Sequence, residues 1–354
     1  MNKLAFEQFT IPLLKWYDAN KREMIWRDHP DPYYIWISEI MLQQTRIEAA
    51  KSYFIRFTEQ LPNIESLANV REDRLMKLWE GLGYYNRARN LKKTAEILVE
   101  RYDGKLPDDY DLLLSLPGIG PYTAGAIASI AYGVKAPAVD GNVLRVVMRY
   151  LKCDEDISKM SIRREVENML LNVMPERSGD FNQAIMELGE VVCIPNGAPL
   201  CKECPLYDDC QARICSCQEE YPKKAEKKPR RIEQLTIIVY EYEDMIGIAK
   251  RADRGLLAGL YEFPSFEEKM TVKRVKELLN DLGMAVPSVT SLGMSKHIFS
   301  HVEWHMKGFH VNLEDMEDLE RIPGDVLFVT KEELKNEYTL PVAFHYYLNQ
   351  IVSQ

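Results

Sequence analysis

Residues 112–133 read LLLSLPGIGPYTAGAIASIAYG. An apolar run ends at Leu116-Pro117, two glycines follow within three residues, and Pro121 opens a second run of small and apolar residues. Proline is tolerated at the first position of a helix, where its missing N–H costs nothing. The stretch therefore predicts a helix end, a Gly-rich hairpin and a second helix. Gly118 and Gly120 permit positive φ and leave backbone N–H groups unshielded. Such groups at a helix N-terminus form an anion site that needs no basic side chain.

On either side of this hairpin stand two carboxylates in unusual settings. In 138-AVDGNVLRV-146, Asp140 precedes Gly141, Asn142 and an apolar helix start, the position of an N-cap. In 36-WISEIMLQQT-45, Glu39 lies among apolar neighbours. A carboxyl there finds a partner or stays protonated through desolvation. One acid held neutral beside one held charged suits acid-assisted bond cleavage with stabilisation of a cation.

Further out, residues 35–57 and 67–102 carry apolar positions at helical spacing, the latter broken near Gly81 and Gly83. Four of the seven cysteines fall in 193-CIPNGAPLCKECPLYDDC-210. Cys193, Cys201, Cys204 and Cys210 sit in a loop punctuated by Pro and Gly, which turns several thiolates toward one centre. Four thiolates suit tetrahedral zinc or an iron–sulfur cluster. Nothing at the N-terminus reads as a secretory signal, and no apolar run approaches the roughly 18 residues of a membrane span. A disulfide framework is not expected.

From residue 235 the texture changes to β alternation in LTIIVYEYEDMIGIAKRA and HIFSHVEWHMKGFHVNL (297–313), with Gly308 expected at a bulge and TVKRVKELLNDLG (271–283) as a helix between. The second half is expected to be α+β. His297, His301 and His305 recur every four residues, but the alternating Ile298, Val302, Trp304 and Met306 favour a strand with the histidines on its other side over a helical metal face.

The formal charge of −9 over 354 residues argues by itself against nucleic acid. Its distribution does not. Residues 1–231 hold 33 basic and 34 acidic residues, a net of −1, and residues 232–354 hold 12 and 20, a net of −8. Between the halves lies 223-KKAEKKPRR-231, six basic residues against one acidic, a solvated tether or a strap that touches phosphate.

WISEIMLQQT, LWEGLGYYNRARN, LPGIGPYTAGAI, AVDGNVLRV, the four-Cys loop, GLLAGLYEFP and HIFSH occur in this order. Together they resemble the MutY-type adenine DNA glycosylases of the endonuclease III helix-hairpin-helix superfamily, over nearly the whole chain. The resemblance implies a multidomain protein. Residues 1–222 would form an all-α helix-hairpin-helix catalytic domain, 223–231 a basic linker, and 232–354 an α+β MutT/Nudix-like domain. It implies a monofunctional enzyme of base-excision repair that removes adenine mispaired with 8-oxoguanine or guanine in double-stranded DNA, a monomer in the cytoplasm, associated with the nucleoid in a bacterium.

By the same resemblance, Glu39 matches the acid that protonates adenine at N7, and Asp140 the carboxylate that stabilises the oxocarbenium-like sugar. Asn142 matches a neighbour of that aspartate. Tyr122 falls where bifunctional relatives place a nucleophilic lysine, and a phenol cannot form a Schiff base. Trp26, Arg27, Leu42 and Gln183 match residues of the adenine pocket, and Tyr84 and Gln44 the residues that enter the base stack. Arg87 and Arg89 are read either as phosphate contacts or as a solvated helix face. Cys193, Cys201, Cys204 and Cys210 match the ligands of a [4Fe–4S] cluster, with a first gap of seven residues where the family has six. Phe299, Ser300 and His301 match the loop that reads 8-oxoguanine. The acidic array of nucleotide hydrolases is missing after GLYEFP, so the second domain is expected to read a base and not to cleave a nucleotide. A glycosylase with lyase activity, a non-enzymatic iron–sulfur DNA-binding protein and a nucleotide hydrolase are the competing readings.

Overall fold

The computed structural model describes residues 4–27, 31–226, 229–284 and 288–352. The chain divides into two compact units, Met1–Asn69 with Asn90–Glu226, and Val70–Arg89 with Lys227–Gln354. Residues 70–89 thus group with the second unit, although they lie within the stretch that sequence reading assigns to the first. Lysines 227 and 228 of the basic linker lie outside the described residues.

The chain forms helices α1 (Ile11–Asn20), α2 (Pro32–Leu42), α3 (Ile47–Gln60), α4 (Ile64–Asn69), α5 (Glu72–Trp79), α6 (Asn86–Arg101), α7 (Tyr110–Leu114), α8 (Pro121–Tyr132), α9 (Gly141–Leu151), α10 (Met160–Asn172), α11 (Ser178–Val191) and α12 (Gln211–Ile214) before the first strand. In the first unit α2, α8 and α9 are almost wholly buried, and α11 packs against both α8 and α9. The single apolar run of 35–57 is two helices. Asp31 caps α2, accepting from Tyr33 N at 2.7 Å, and the chain breaks at Gln43–Arg46, where Gln44 takes a φ of +61°. Helical periodicity continues across that break, so spacing alone does not reveal it.

The expected hairpin joins α7 to α8. Gly118 is required twice, by a φ of +75° and by Asn90, whose Cβ would stand 2.5 Å from an added methyl carbon. Gly120 is a different case. It caps α8 with an extended backbone, φ −92° and ψ 179°, and a Cβ there would meet nothing within 4 Å. Its exposure, and not a left-handed conformation, distinguishes it.

The second unit holds a seven-stranded mixed sheet. Its strands are β1 (Arg231–Tyr242), β2 (Met245–Lys250), β3 (Tyr261–Glu262), β4 (Ser265–Phe266), β5 (Ser288–Ile298), β6 (Val302–Leu313) and β7 (Val326–Thr330), and its helices α13 (Val272–Asp281), α14 (Glu317–Arg321), α15 (Lys331–Asn336) and α16 (His345–Val352). The main path runs β3-β2-β1-β6-β5, with β1 parallel to β6. Both faces are covered. Leu235, Ile237 and Val239 enter one core with Trp304 and Met306, while Ile238 and Tyr240 enter the other with Phe309 and Val311.

Two expectations for 297–313 are corrected here. The stretch is the end of β5, a turn and β6, so alternation restarts at the turn. His297 consequently pairs with Trp304 across the hairpin and lies on its side of the sheet, and Ile298 is exposed. The irregularity falls on β5 between Ser291 and Gly293, opposite Gly308. Gly308 instead admits the Tyr347 ring, which would stand 2.2 Å from a Cβ.

Candidate active site

A cavity of about 670 Å³ in the first unit is lined by Trp26, Arg27, Glu39, Leu42, Tyr122, Asp140, Asn142 and Gln183, among others. Residues from five separate stretches of sequence thus converge.

Glu39 projects from α2 and is 8% exposed. Tyr122, in the first turn of α8, donates to its Oε2 at 2.5 Å. Burial pushes the Glu39 carboxyl up to about 7, against the lowering effect of the Tyr122 bond; the nearby Asp140 charge adds to the rise and Arg27 opposes it. Tyr122 is driven well above its ordinary value by burial and by both carboxylates, so it remains a donor.

Asp140 is the N-cap of α9, as its sequence position predicts. Its Oδ1 accepts from Val143 N at 2.8 Å and its Oδ2 from Asn142 Nδ2 at 3.0 Å. Burial raises its pKa, while the backbone N–H groups of Val143 and Asn142 and the charges of Arg145 and Arg163 pull the other way. Its placement depends on Asn182 of α11, which is buried, accepts from Ala138 N at 3.0 Å and donates to Ala136 O at 2.8 Å. The extended segment leading to Asp140 is thereby pinned. Gly125 lets α8 lie against the same segment, since a Cβ there would meet Pro137 O at 2.2 Å.

Arg27 is oriented from two sides. Its Nε donates to Gln183 Oε1 at 2.8 Å and its Nη2 to Glu187 Oε2 at 2.7 Å. Glu187 also accepts from Arg22 N at 2.7 Å and Arg22 Nε at 3.0 Å. Trp26 is buried against Phe54, ring centroids 5.6 Å apart, and borders the cavity as well. Gln44 is exposed at the α2–α3 break.

Cys193, Cys201, Cys204 and Cys210 line one pocket with Val146, Leu188 and Leu206. A single tetrahedral zinc would need sulfurs about 3.8 Å apart, from Zn–S bonds of about 2.3 Å. Among the described residues no three His, Cys, Asp or Glu groups converge tightly enough for one ion. Four thiols lining one pocket supply the donor set of a [4Fe–4S] cluster. Arg149 Nη1 lies 3.3 Å from Cys193 Sγ, the kind of N–H···S contact that stabilises cluster sulfur. Arg145 joins this loop to the cavity: it donates to Cys193 O at 2.8 Å, to Gly189 O at 2.6 Å and to Asn142 Oδ1 at 2.8 Å.

The model of the HhH-GPD superfamily of base excision DNA repair proteins matches residues 37–170, and that of the NUDIX domain residues 235–350. The adenine DNA glycosylase of Homo sapiens is 33% identical over 92% of this chain and 70% of its own length. That of Buchnera aphidicola subsp. Acyrthosiphon pisum is 35% identical over 88% of both chains. The chain belongs to the adenine DNA glycosylase family.

As a member of that family it is a DNA glycosylase, and its helical part has the corresponding fold. A thermostable thymine-DNA glycosylase superposes with a TM-score of 0.54 at 28% identity, covering 59% of this chain and 96% of its own. A trapped endonuclease III–DNA covalent intermediate gives 0.52 at 27%, covering 60% and 99%.

In the second unit of this glycosylase, Tyr84 is 51% exposed with a φ of +48°. Arg87 is turned inward behind it, over the Trp79 and Tyr84 rings, and donates to the carbonyls of Leu82 and Gly83 at 3.0 and 3.1 Å. Arg89 pairs with Glu72 at 2.8 Å. Neither arginine is a simply solvated helix residue. Phe299, Ser300 and His301 form the β5–β6 turn, Phe299 packing on Trp304 with centroids 4.9 Å apart and Ser300 and His301 exposed. Sequence reading missed Asn182 and Glu187. Glu187 lies four residues after Gln183 on α11, one helical turn along the same face, and that spacing is a usable signal.

Proposed function

We propose that this chain hydrolyses the N-glycosidic bond of adenine mispaired with 8-oxoguanine or guanine in duplex DNA, without cutting the strand. The observation that carries this reading is the pairing, in one cavity, of a carboxyl held near neutrality at Glu39 with the capped carboxylate of Asp140. Adenine leaves poorly unless protonated, and a departing base leaves positive charge on the sugar. Glu39, protonated in the lower part of the physiological range, delivers its proton to N7. Asp140 stabilises the sugar cation, and water completes the reaction. Tyr122 keeps Glu39 oriented and offers no amine for a Schiff base, which speaks against lyase chemistry.

Trp26, Arg27, Leu42 and Gln183 receive the adenine, which is flipped from the stack at a cost of a few kcal/mol. Tyr84 and Gln44 fill the space it leaves. The backbone around Gly118 and Gly120 holds a phosphate. Cys193, Cys201, Cys204 and Cys210 hold a [4Fe–4S] cluster, which when bound crosslinks their loop through thiolate–iron bonds. In the second unit Phe299, Ser300 and His301 read the oxidised base. We assign the domains as residues 1–222 and 232–354 with a basic linker between.

The test is a single-turnover incubation with duplexes carrying A opposite 8-oxoguanine, with uracil, thymine glycol and undamaged controls. Release of adenine, with strand breaks only after alkali, is the expected result. A folded protein that releases no adenine overturns the reading.

A further inference from the structure

The basic linker ends on the turn that carries Phe299, Ser300 and His301. Phe299 N donates to Val302 O at 2.9 Å and closes the turn. Arg230 Nε donates to the Phe299 carbonyl at 3.0 Å, and Arg231 N to the His301 carbonyl at 3.2 Å. From Arg231 onward β1 runs in parallel register with β6, beginning at Val302. Two consecutive arginines therefore hold the carbonyls on either side of the exposed Ser300–His301 tip.

Nearby carboxylates are already engaged. Glu233 is held by Arg231 and by Trp304 Nε1 at 2.7 Å. Glu303 is held by Lys296 at 2.5 Å and His305 at 2.6 Å. Arg230 differs. It is exposed, and among the described residues it meets a carbonyl and no carboxylate. Its Nε is used on the turn, which leaves the forked Nη groups to an outside acceptor. Arg230 closes the basic run 223–231 where that run meets the turn of the acidic half, residues 232–354 with net charge −8. A planar fork of donors matches the acceptor geometry of a phosphate.

We propose that Arg230 forms a phosphate-binding site at this turn, and that its ligand is a backbone phosphate of the DNA strand opposite the adenine. The proposal rests on the reading of the turn as the element that meets the oxidised base. It adds a division of labour. Phosphates are the same on every sequence, so Arg230 contributes grip without discrimination, and Phe299 and Ser300 discriminate.

The test measures binding of the full chain to duplexes with a non-hydrolysable adenosine analogue opposite 8-oxoguanine or guanine, across a salt series. Losing one phosphate contact lowers the slope of log K against log[salt] by about 0.9. Arg230→Gln is expected to show that loss and to weaken binding by the same factor on both duplexes, while Arg230→Lys keeps the slope. An unchanged slope for Arg230→Gln overturns the proposal. So does a change confined to the preference for 8-oxoguanine, which would make Arg230 only a brace for the turn. Phe299→Ala with Ser300→Ala, tested in parallel, is expected to erode that preference. If this double variant keeps the original ratio, the reading of the turn fails, and the slope for Arg230→Gln still judges the phosphate site separately.

Discussion

The phenol of Tyr122 donates a 2.5 Å hydrogen bond to Oε2 of Glu39, in a cavity that also contains Asp140. This bond engages one of the two carboxyl oxygens of Glu39. It also favours the ionised form, opposing burial. Tyr122→Phe removes the opposing influence and leaves burial and the Asp140 charge in place. The alkaline limb of the pH–rate profile for base release is expected near 7 in the native protein and at higher pH in this variant. A limb that stays or moves down shows that the bond does not tune Glu39.

Glu39 also links activity to stability. Its carboxyl rises from 4.5 to about 7 on folding, so the folded chain binds this proton more tightly than the unfolded one. Stability from this group therefore falls as pH rises between those values, and above the folded value the full penalty applies, about 3 kcal/mol at 1.4 kcal/mol per unit. Glu39→Gln removes the penalty. Its unfolding midpoint is expected to exceed that of the native protein at pH 8, the gain shrinking toward pH 5, while base release falls by roughly 10²–10⁴-fold. A variant no more stable at pH 8 contradicts the burial argument.

Asp140→Asn separates chemistry from capping. Asparagine caps a helix about as well as aspartate, and its carbonyl can keep the Val143 N–H. It loses the Asn142 bond, since Asn142 Oδ1 is engaged by Arg145, a cost of about 1 kcal/mol. Base release is expected to vanish from a protein that still folds and binds the mismatch. Retained turnover removes Asp140 from the reaction.

The two acids are visible in the sequence because each is marked by immediate neighbours, an apolar helix around Glu39 and a helix start after Asp140. Their supports are not. Asn182 and Glu187 sit in FNQAIMELGE, where nothing local separates a buried anchor from an ordinary helix residue. Their roles are decided by which segments α11 approaches. The same limit hides the break at Gln44, because hydrophobic spacing carries on through it, and misplaces the bulge, because Gly308 answers to a tyrosine 39 positions later that only the fold brings near.

Glu187→Gln tests one of these supports. The carboxylate is nearly fully buried and accepts three N–H groups from Arg22 and Arg27. Breaking a buried pair costs about 3–5 kcal/mol, and the partial exposure of both arginines reduces this to about 2–3 kcal/mol. Thermal or urea unfolding is expected to show that loss. A change below about 0.5 kcal/mol makes the pair incidental.

The cysteine loop gives a compositional prediction. Anaerobically purified protein is expected to hold about four irons and four acid-labile sulfides per chain, and Cys204→Ser to lose both. One zinc without sulfide overturns the cluster assignment.

The parallel pairing of β1 with β6 has a consequence for synthesis. Arg231 finds its partner at Val302, 71 positions later, and the six consecutive buried residues from Leu235 to Tyr240 wait for it. The helical unit is complete in sequence by Glu226 and can close while the ribosome is still adding residues. The sheet cannot. A nascent or prematurely terminated chain that ends before β6 displays an uncovered apolar strand with open hydrogen-bonding edges, the kind of segment that recruits other chains. Chains stopped between residues 245 and 300 are therefore expected to aggregate more readily than the full chain.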